Sequence, residues 1–93
     1  HRWRDHLCRA MTDRHLTGPL ARARGVIGRY PDADERYILE WSGVDDRPIH
    51  MLGVRRPLVV EWHIAGAMVV RETLRPWVGR ASHPADRVIE YRP

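Results

Sequence analysis

The stretch from Leu58 to Ile64 has an apolar residue at every even-numbered position. These positions are Leu58, Val60, Trp62 and Ile64. Because successive side chains of a strand point to opposite faces, the pattern predicts a half-buried strand with these residues in the core. We expect this strand to be central in its sheet.

A short segment, Ala65-Gly66-Ala67, follows this strand, and apolar positions resume as far as Leu74. The two runs predict a β-hairpin closed by a Gly-containing loop. A three-residue loop sets Ile64 opposite Met68 and keeps apolar residues together on one face of the hairpin. The other pairs expected in this register are Trp62 with Val70, Leu58 with Leu74, and Glu61 with Arg71. The expected core residues are Trp62, Leu58, Val70 and Leu39.

Alternation elsewhere predicts four more strands: Trp3–Met11, Arg36–Trp41, Ile49–Val54 and Arg87–Tyr91. Turn-forming residues predict loops over Ser42–Asp46 and over Pro76–Pro84, and Pro57 marks the start of the first hairpin strand. Thr17 and Pro19 predict the beginning of a short helix. We therefore expect an α+β fold that is mostly β, either a compact antiparallel sheet or a partly closed barrel, with one or two short helices.

The length of 93 residues is enough for one hydrophobic core, so we expect a single domain over residues 1–93. Cys8 is the only cysteine, which excludes an intramolecular disulfide and predicts a reducing, cytoplasmic location. No apolar run approaches the ~18 residues that a membrane-spanning helix needs, so we expect no membrane insertion. The sequence leaves the oligomeric state open.

The 16 residues counted as lysine or arginine are all arginine, and with 12 acidic residues the net charge is +4. A chain without Lys, Phe, Asn or Gln favours a GC-rich coding bias over a selected polyanion site. The arginines are also interleaved with acidic residues along the chain. We therefore expect any contact with nucleic acid to be weak.

The best binding constellation places Arg24 and Arg29 beside Arg55 and Arg56. Guanidinium groups bind carboxylate and phosphate through two parallel hydrogen bonds. Trp77, in a predicted loop, adds an aromatic group for a ligand or partner. The expected ligand-binding residues are Arg24, Arg29, His50, Arg55, Arg56 and Trp77.

These residues predict a non-enzymatic module that binds a partner protein or a small anionic ligand in an Arg-lined groove near His50, Arg55 and Trp77. One alternative is a domain that contacts RNA or DNA through its arginines. A minor alternative is a hydrolase-like enzyme in which Glu61 and His63, on one strand face, form an acid–base pair.

Structural interpretations compete with these sites. For the arginines by themselves we favour surface pairing with Asp45, Asp46 or Glu35. The six histidines lack the spacing of a metal-ligand set, so we expect packing or surface roles for them, no metal site and no cofactor.

Four segments are considered together: Arg22–Arg29, His50-Met51, Pro57-Leu58 and Ala85–Glu90. In this combination they resemble a family of small prokaryotic proteins, the domain of unknown function 192 (DUF192). The family's Arg-x-x-Gly-Leu-Met-x-Arg segment is similar to Arg22–Arg29, and two further segments are similar to His50-Met51 and Pro57-Leu58. The family's closing strand is similar to Ala85–Glu90, whereas Val59 stands where the family has an acidic residue. The resemblance implies a compact, mostly antiparallel β domain with one or two short helices, and it implies no established activity.

Overall fold

Five strands form one open sheet in the structure, a computed structural model that describes residues 12–16 and 30–93. The strands are β1 (Thr12–His15), β2 (Glu35–His50), β3 (Leu58–Ile64), β4 (Ala67–Leu74) and β5 (Arg80–Tyr91). Their order across the sheet is β1-β2-β5-β3-β4, with β1 parallel to β2 and the other neighbours antiparallel. The described residues are mostly strand and contain no helix, which confirms the prediction of a mostly β fold.

Some sequence predictions concern residues outside the described ranges. They are the strand over Trp3–Met11, the thiol of Cys8 and the helix that begins near Thr17. Within the described ranges, no helix has the length and apolar character needed to cross a lipid bilayer.

The centre of the sheet is β5, and the prediction that β3 is central is wrong, although β3 is an interior strand. The sequence predicts only the second half of β5, Arg87–Tyr91, because Gly79 and Pro84 favour a loop. In the structure Arg80–Ala85 pair with Asp45–His50 of β2. Among the described strands this half of β5 pairs with β2 alone. Its other side carries no paired strand in the described ranges, so Pro84, which has no amide hydrogen to donate, fits there.

β2 continues far beyond the predicted strand Arg36–Trp41, and the turn predicted at Ser42–Asp46 is wrong. The register between β2 and β5 shifts between Glu40 and Asp45, where β2 has more residues than the facing part of β5. This segment is therefore a bulge within the strand. Pairing with β5 on both sides of the bulge outweighs the local turn preference of Ser, Gly and Asp.

A tight turn follows β2, so the strand predicted over Ile49–Val54 ends at His50. The Val54 N–H donates to the Met51 carbonyl over 2.9 Å, and Gly53 has a φ of 85°. Only glycine adopts such a φ at little cost. The turn directs Met51 and Val54 into the core, where both side chains are buried.

β3 and β4 form the predicted hairpin, and its register is confirmed as far as Trp62 opposite Val70. The same register pairs Leu58 with Leu74 and Glu61 with Arg71. Beyond it, Ile64 lies opposite Ala67, so the predicted pairing of Ile64 with Met68 is wrong.

The hairpin loop has two residues, Ala65 and Gly66, with φ angles of 51° and 82°. Two successive positive φ angles are typical of a type I′ turn, whose twist matches that of the flanking strands. Val69 is the extra residue of a bulge in β4. This bulge explains how a two-residue loop coexists with the predicted register along the rest of the hairpin.

One face of the sheet carries the hydrophobic core. Its buried members are Tyr37, Leu39, Met51, Val54, Leu58, Val60, Trp62, Leu74, Ala85 and Val88. Trp62 is fully buried, and its indole N–H donates to the Arg47 carbonyl over 2.8 Å. The predictions for Leu39, Leu58 and Trp62 are confirmed. Val70 is only half-buried, because it lies on the edge strand β4.

Candidate functional site

Two loops lie against each other, one joining β2 to β3 and the other joining β4 to β5. The Met51 N–H donates to the Gly79 carbonyl over 2.9 Å, and the Trp77 N–H donates to the Val54 carbonyl over 3.0 Å. Next to these loops, His50 of β2 pairs with Arg80 of β5. We refer to residues 50–57 and 75–80 as the Arg-rich end.

The Arg-rich end contains four of the six residues that the sequence predicts as ligand-binding. They are His50, Arg55, Arg56 and Trp77, and all four are exposed. The backbone contacts between the loops bring the segments that carry them together, although the segments are about 20 residues apart in the chain. Arg24 and Arg29 lie outside the described residues.

Positive charge is unbalanced at the Arg-rich end. It carries Arg55, Arg56, Arg75 and Arg80 and no acidic residue. Among the described residues none of these guanidinium groups forms an ion pair, so the favoured surface pairing is wrong for Arg55 and Arg56. Arg56 instead lies over the Tyr30 ring, 5.6 Å from its centroid. Such a cation–π contact leaves the positive charge uncompensated.

Apolar side chains are also exposed in these two loops. The exposed fractions are 66% for Leu52, 51% for Trp77 and 66% for Val78. Trp77 has a φ of 65°, a value that is rare and costly for a bulky residue. The loop therefore holds its tryptophan in an unfavourable conformation while leaving half of the residue in solvent.

The turn beneath Trp77 depends on Gly79. The Gly79 N–H donates to the Arg75 carbonyl over 3.0 Å. A Cβ atom at position 79 would lie 2.6 Å from the Arg75 nitrogen and 2.7 Å from its carbonyl oxygen. Glycine is thus required by the close approach of the two backbones, and the loop has a defined shape.

The other predicted site, Glu61 and His63 on β3, does form a contact. His63 Nε2 lies 2.8 Å from one carboxylate oxygen of Glu61, and the Tyr91 hydroxyl donates to the other oxygen. Burial by itself would raise the pKa of Glu61, but the hydrogen bonds from Tyr91 and His63 outweigh it and hold that pKa below its ordinary value. Both oxygens of the carboxylate are engaged, so Glu61 acts as a structural acceptor.

The sheet face that carries Glu61, which we refer to as the outer face, is nearly neutral. Arg36 donates two hydrogen bonds to the Asp13 carboxylate, over 2.8 and 2.9 Å. Arg87 donates to Glu40 over 2.9 Å. This pairing contrasts with the unpaired arginines of the Arg-rich end, and it explains why the net charge alone does not locate the positive surface.

No group of three or more potential metal ligands occurs among the residues in the described ranges. His83 has a packing role, because its ring contacts the edge of the Trp62 indole at a centroid distance of 4.6 Å and its Nε2 contacts Glu72. His15 Nδ1 lies 3.1 Å from Glu40.

Glu90 is a buried acid that the sequence does not single out. It lies on β5 between Tyr37 of β2 and Val60 of β3, with 3% of the residue exposed. Its Oε1 has no hydrogen-bond partner in the described part of the chain. Burial raises the pKa of this carboxyl to about 7.

The sequence around Glu90 does not predict that this residue is buried. Val88 and Ile89 point to opposite faces and are both buried, so this half of β5 is covered on both sides. Alternation then gives no indication of which face is solvated.

No protein-family model matches the chain, and no curated protein matches it, so the resemblance to DUF192 is not confirmed. Solved structures do share the fold. A protein described as a "putative transcription regulator" from Sinorhizobium meliloti 1021 has a TM-score of 0.76 and 17% identity. The match covers 88% of this chain and 68% of that protein.

A protein of unknown function from Novosphingobium aromaticivorans DSM 12444 has the same fold, with a TM-score of 0.72 and 16% identity. The match covers 88% of this chain and 63% of that protein. At these identities the likeness shows the fold alone. The chain thus has the fold of small β proteins whose activities are not established.

Proposed function

We propose that the protein is a non-enzymatic binding module that takes a partner or a small anionic ligand at the Arg-rich end. The observation that carries this proposal is the local charge. Four arginines lie there without an acidic residue or a described ion pair, whereas Arg36 and Arg87 of the outer face are paired. A single domain over residues 1–93 and a cytoplasmic location, both predicted from the sequence, are part of the proposal.

The geometry of the loops supports binding. Guanidinium groups that are not already paired present their full set of donors to carboxylate or phosphate. The hydrogen bonds between the loops fix the backbone near His50, Arg55 and Trp77 before any ligand arrives. A preorganised site loses less conformational entropy on binding than a flexible loop would.

Calorimetric titration with inorganic pyrophosphate and with poly-L-glutamate tests the proposal. We expect both anions to bind at low salt, and Arg55→Ser or Arg80→Ser to weaken binding roughly tenfold or more, because a hydrogen bond to a charged group contributes about 1.5 to 3 kcal/mol. Arg71→Ser is the matched control, since it removes the same charge from the outer face. Equal weakening in the control, or no binding of either anion, would contradict the proposal.

The second candidate is a domain that contacts RNA or DNA. Trp77 supports it, because an exposed tryptophan beside unpaired arginines can stack on a base while the arginines contact phosphates. The Sinorhizobium meliloti protein, described as a "putative transcription regulator", makes nucleic acid a reasonable ligand to test.

Fluorescence anisotropy with labelled single- and double-stranded oligonucleotides separates the two candidates. We expect weak binding that disappears at physiological salt, because each phosphate contact releases counterions and contributes a log-log slope of about −0.9 for duplex DNA or −0.7 for single strands. Submicromolar binding that persists at physiological salt, and is lost in a folded Arg55→Ala/Arg56→Ala variant, would favour nucleic acid instead.

A further inference from the structure

The Arg-rich end combines positively charged and apolar side chains, and a ligand that covers the whole end has to contact both. Its arginines require negative charge, but Leu52 and Val78 are aliphatic, and each is 66% exposed. Trp77 is 51% exposed in the same loop as Val78. A phosphate or another small anion would leave these apolar side chains in water.

We propose that the partner at this end is an acidic segment of another protein that carries large apolar side chains among its carboxylates. This inference rests on the proposed function and names the class of partner. Carboxylates of the segment pair with the arginines, and its apolar side chains cover Leu52, Trp77 and Val78. Charge complementarity selects this occupant, because the Arg-rich end has no acidic residue of its own.

The composition of the patch matches a protein interface. Tryptophan and arginine are the side chains most enriched among residues that dominate binding energy, and they act best when partner groups exclude water around them. Arginine side chains also have aliphatic stems that cover apolar surface while the charged group stays in water. Single-stranded nucleic acid fits less well, because it could stack on the tryptophan but would not bury the two aliphatic side chains.

A second copy of the chain is the other occupant that the experiment has to distinguish from an acidic segment of another protein. The bulge of β2 exposes Val44, 51% accessible, next to Asp45 and Asp46, and so it carries acidic and apolar groups together. A contact between this bulge and the Arg-rich end of another copy would join two different surfaces, so self-association through it would build a reciprocal dimer, a ring or an open chain of molecules. A soluble partner segment has no such consequence.

The test uses three labelled probes of equal net charge: a peptide of alternating glutamate and leucine, the same peptide with serine in place of leucine, and an oligothymidylate. We expect the leucine peptide to bind at least about tenfold more tightly than the serine peptide at physiological salt, because only it buries apolar area. Leu52→Ser/Val78→Ser should remove that difference. Arg55→Ser/Arg80→Ser should weaken binding of every probe, with Arg71→Ser as the control.

The outcomes are distinct. If no probe binds, the proposed function itself fails. If all probes bind through the arginines but the two peptides bind equally, or oligothymidylate binds most tightly and is insensitive to Leu52→Ser/Val78→Ser, the inference is overturned while the anion site stands. Sedimentation velocity at increasing protein concentration covers the remaining case. Self-association that Asp45→Ser/Asp46→Ser abolishes would overturn the inference in favour of a second copy.

Discussion

At the scale of single residues, Glu90 gives the protein a specific dependence on pH. An ionised carboxylate without full hydrogen bonding is unfavourable in a core, so the folded protein holds this proton more tightly than the unfolded chain does. The folded state therefore binds more protons between the ordinary pKa of 4.5 and the raised pKa of about 7. Stability should fall as the pH rises through this window.

We expect the free energy of unfolding to decrease by roughly 3 kcal/mol across that window, since one pKa unit corresponds to about 1.4 kcal/mol. Glu90→Gln should remove this decrease and make the protein more stable than the wild type at pH 8. Urea denaturation at several pH values measures both effects. Asp46→Asn, at an exposed position near the bulge, is the control that should keep the wild-type profile, and an unchanged profile in Glu90→Gln would show that Glu90 does not titrate in this way.

Glu61 acts in the opposite sense at lower pH. Its pKa is held below the ordinary value, so it contributes stability that is present above pH 4.5 and is lost as the pH falls through its lowered pKa. The two carboxyls of neighbouring strands therefore act in separate pH ranges.

Trp62 is buried and Trp77 is half-exposed. Substituting each by alanine tests which of them belongs to the core. Trp62→Ala removes a fully buried indole and its hydrogen bond to Arg47, and should destabilise the protein by about 3 to 5 kcal/mol. Trp77→Ala removes a half-exposed side chain and should change stability by about 0.5 kcal/mol or less. Guanidinium chloride denaturation measures the free energy of unfolding of both variants. Similar losses in the two variants would contradict the assignment of Trp62 to the core.

Residue-scale prediction from the sequence succeeded where alternation is clear and failed where both faces are covered. Trp62 lies in a run whose even positions are apolar, so its burial follows from the pattern. Glu90 follows two apolar residues on opposite faces, and nothing local distinguishes it from an exposed acid. Burial on both faces depends on what packs there, which a local pattern does not contain.

At the scale of elements, Gly79 determines the shape of the loop that presents Trp77. Gly79→Ala should force the turn open, because the new Cβ would overlap the backbone of Arg75, and should cost about 1 to 3 kcal/mol. The Trp77 amide should then lose protection from hydrogen exchange as its bond to Val54 breaks. Gly43→Ala is the matched control, since a Cβ there meets nothing within 4 Å. Equal effects at the two positions would contradict the requirement for glycine.

The sequence predicted the hairpin better than it predicted β2 and β5. Strands β3 and β4 are adjacent in the chain, so turn propensity and alternation nearly determine their register. The pairing of Arg80–Ala85 with Asp45–His50 joins residues far apart in sequence, and it converts two segments of turn-like composition into strand. Turn residues indicate only a local backbone preference. The free energy gained when β2 pairs with β5 depends on a distant segment, so it cannot be inferred from those residues.

At the scale of the whole molecule, the outer face and the Arg-rich end differ in charge, and the net charge of the chain does not show this difference. On the outer face Arg36 and Arg87 are paired with acidic residues, whereas the four arginines of the Arg-rich end have no ion pair within the described part of the chain. The sequence predicted four residues of that end as ligand-binding, because arginine and tryptophan in loops are typical of binding sites. It did not predict that Leu52, Arg75 and Val78 join them, since this depends on contacts between two loops. The proposed anion site should therefore respond to substitutions at the Arg-rich end and not on the outer face.

The position of β5 also determines when the protein can fold during its synthesis. β5 is the last of the five strands to leave the ribosome, yet it is the one that joins β1 and β2 to β3 and β4. Until it emerges, the nascent chain has a hairpin and a separate long strand, each with an apolar face and no partner to cover it. We expect stalled nascent chains to stay sensitive to protease until Tyr91 is outside the ribosome, and then to become resistant in one step. Until β5 has emerged, both halves of this sheet are therefore exposed to aggregation or to binding by a chaperone.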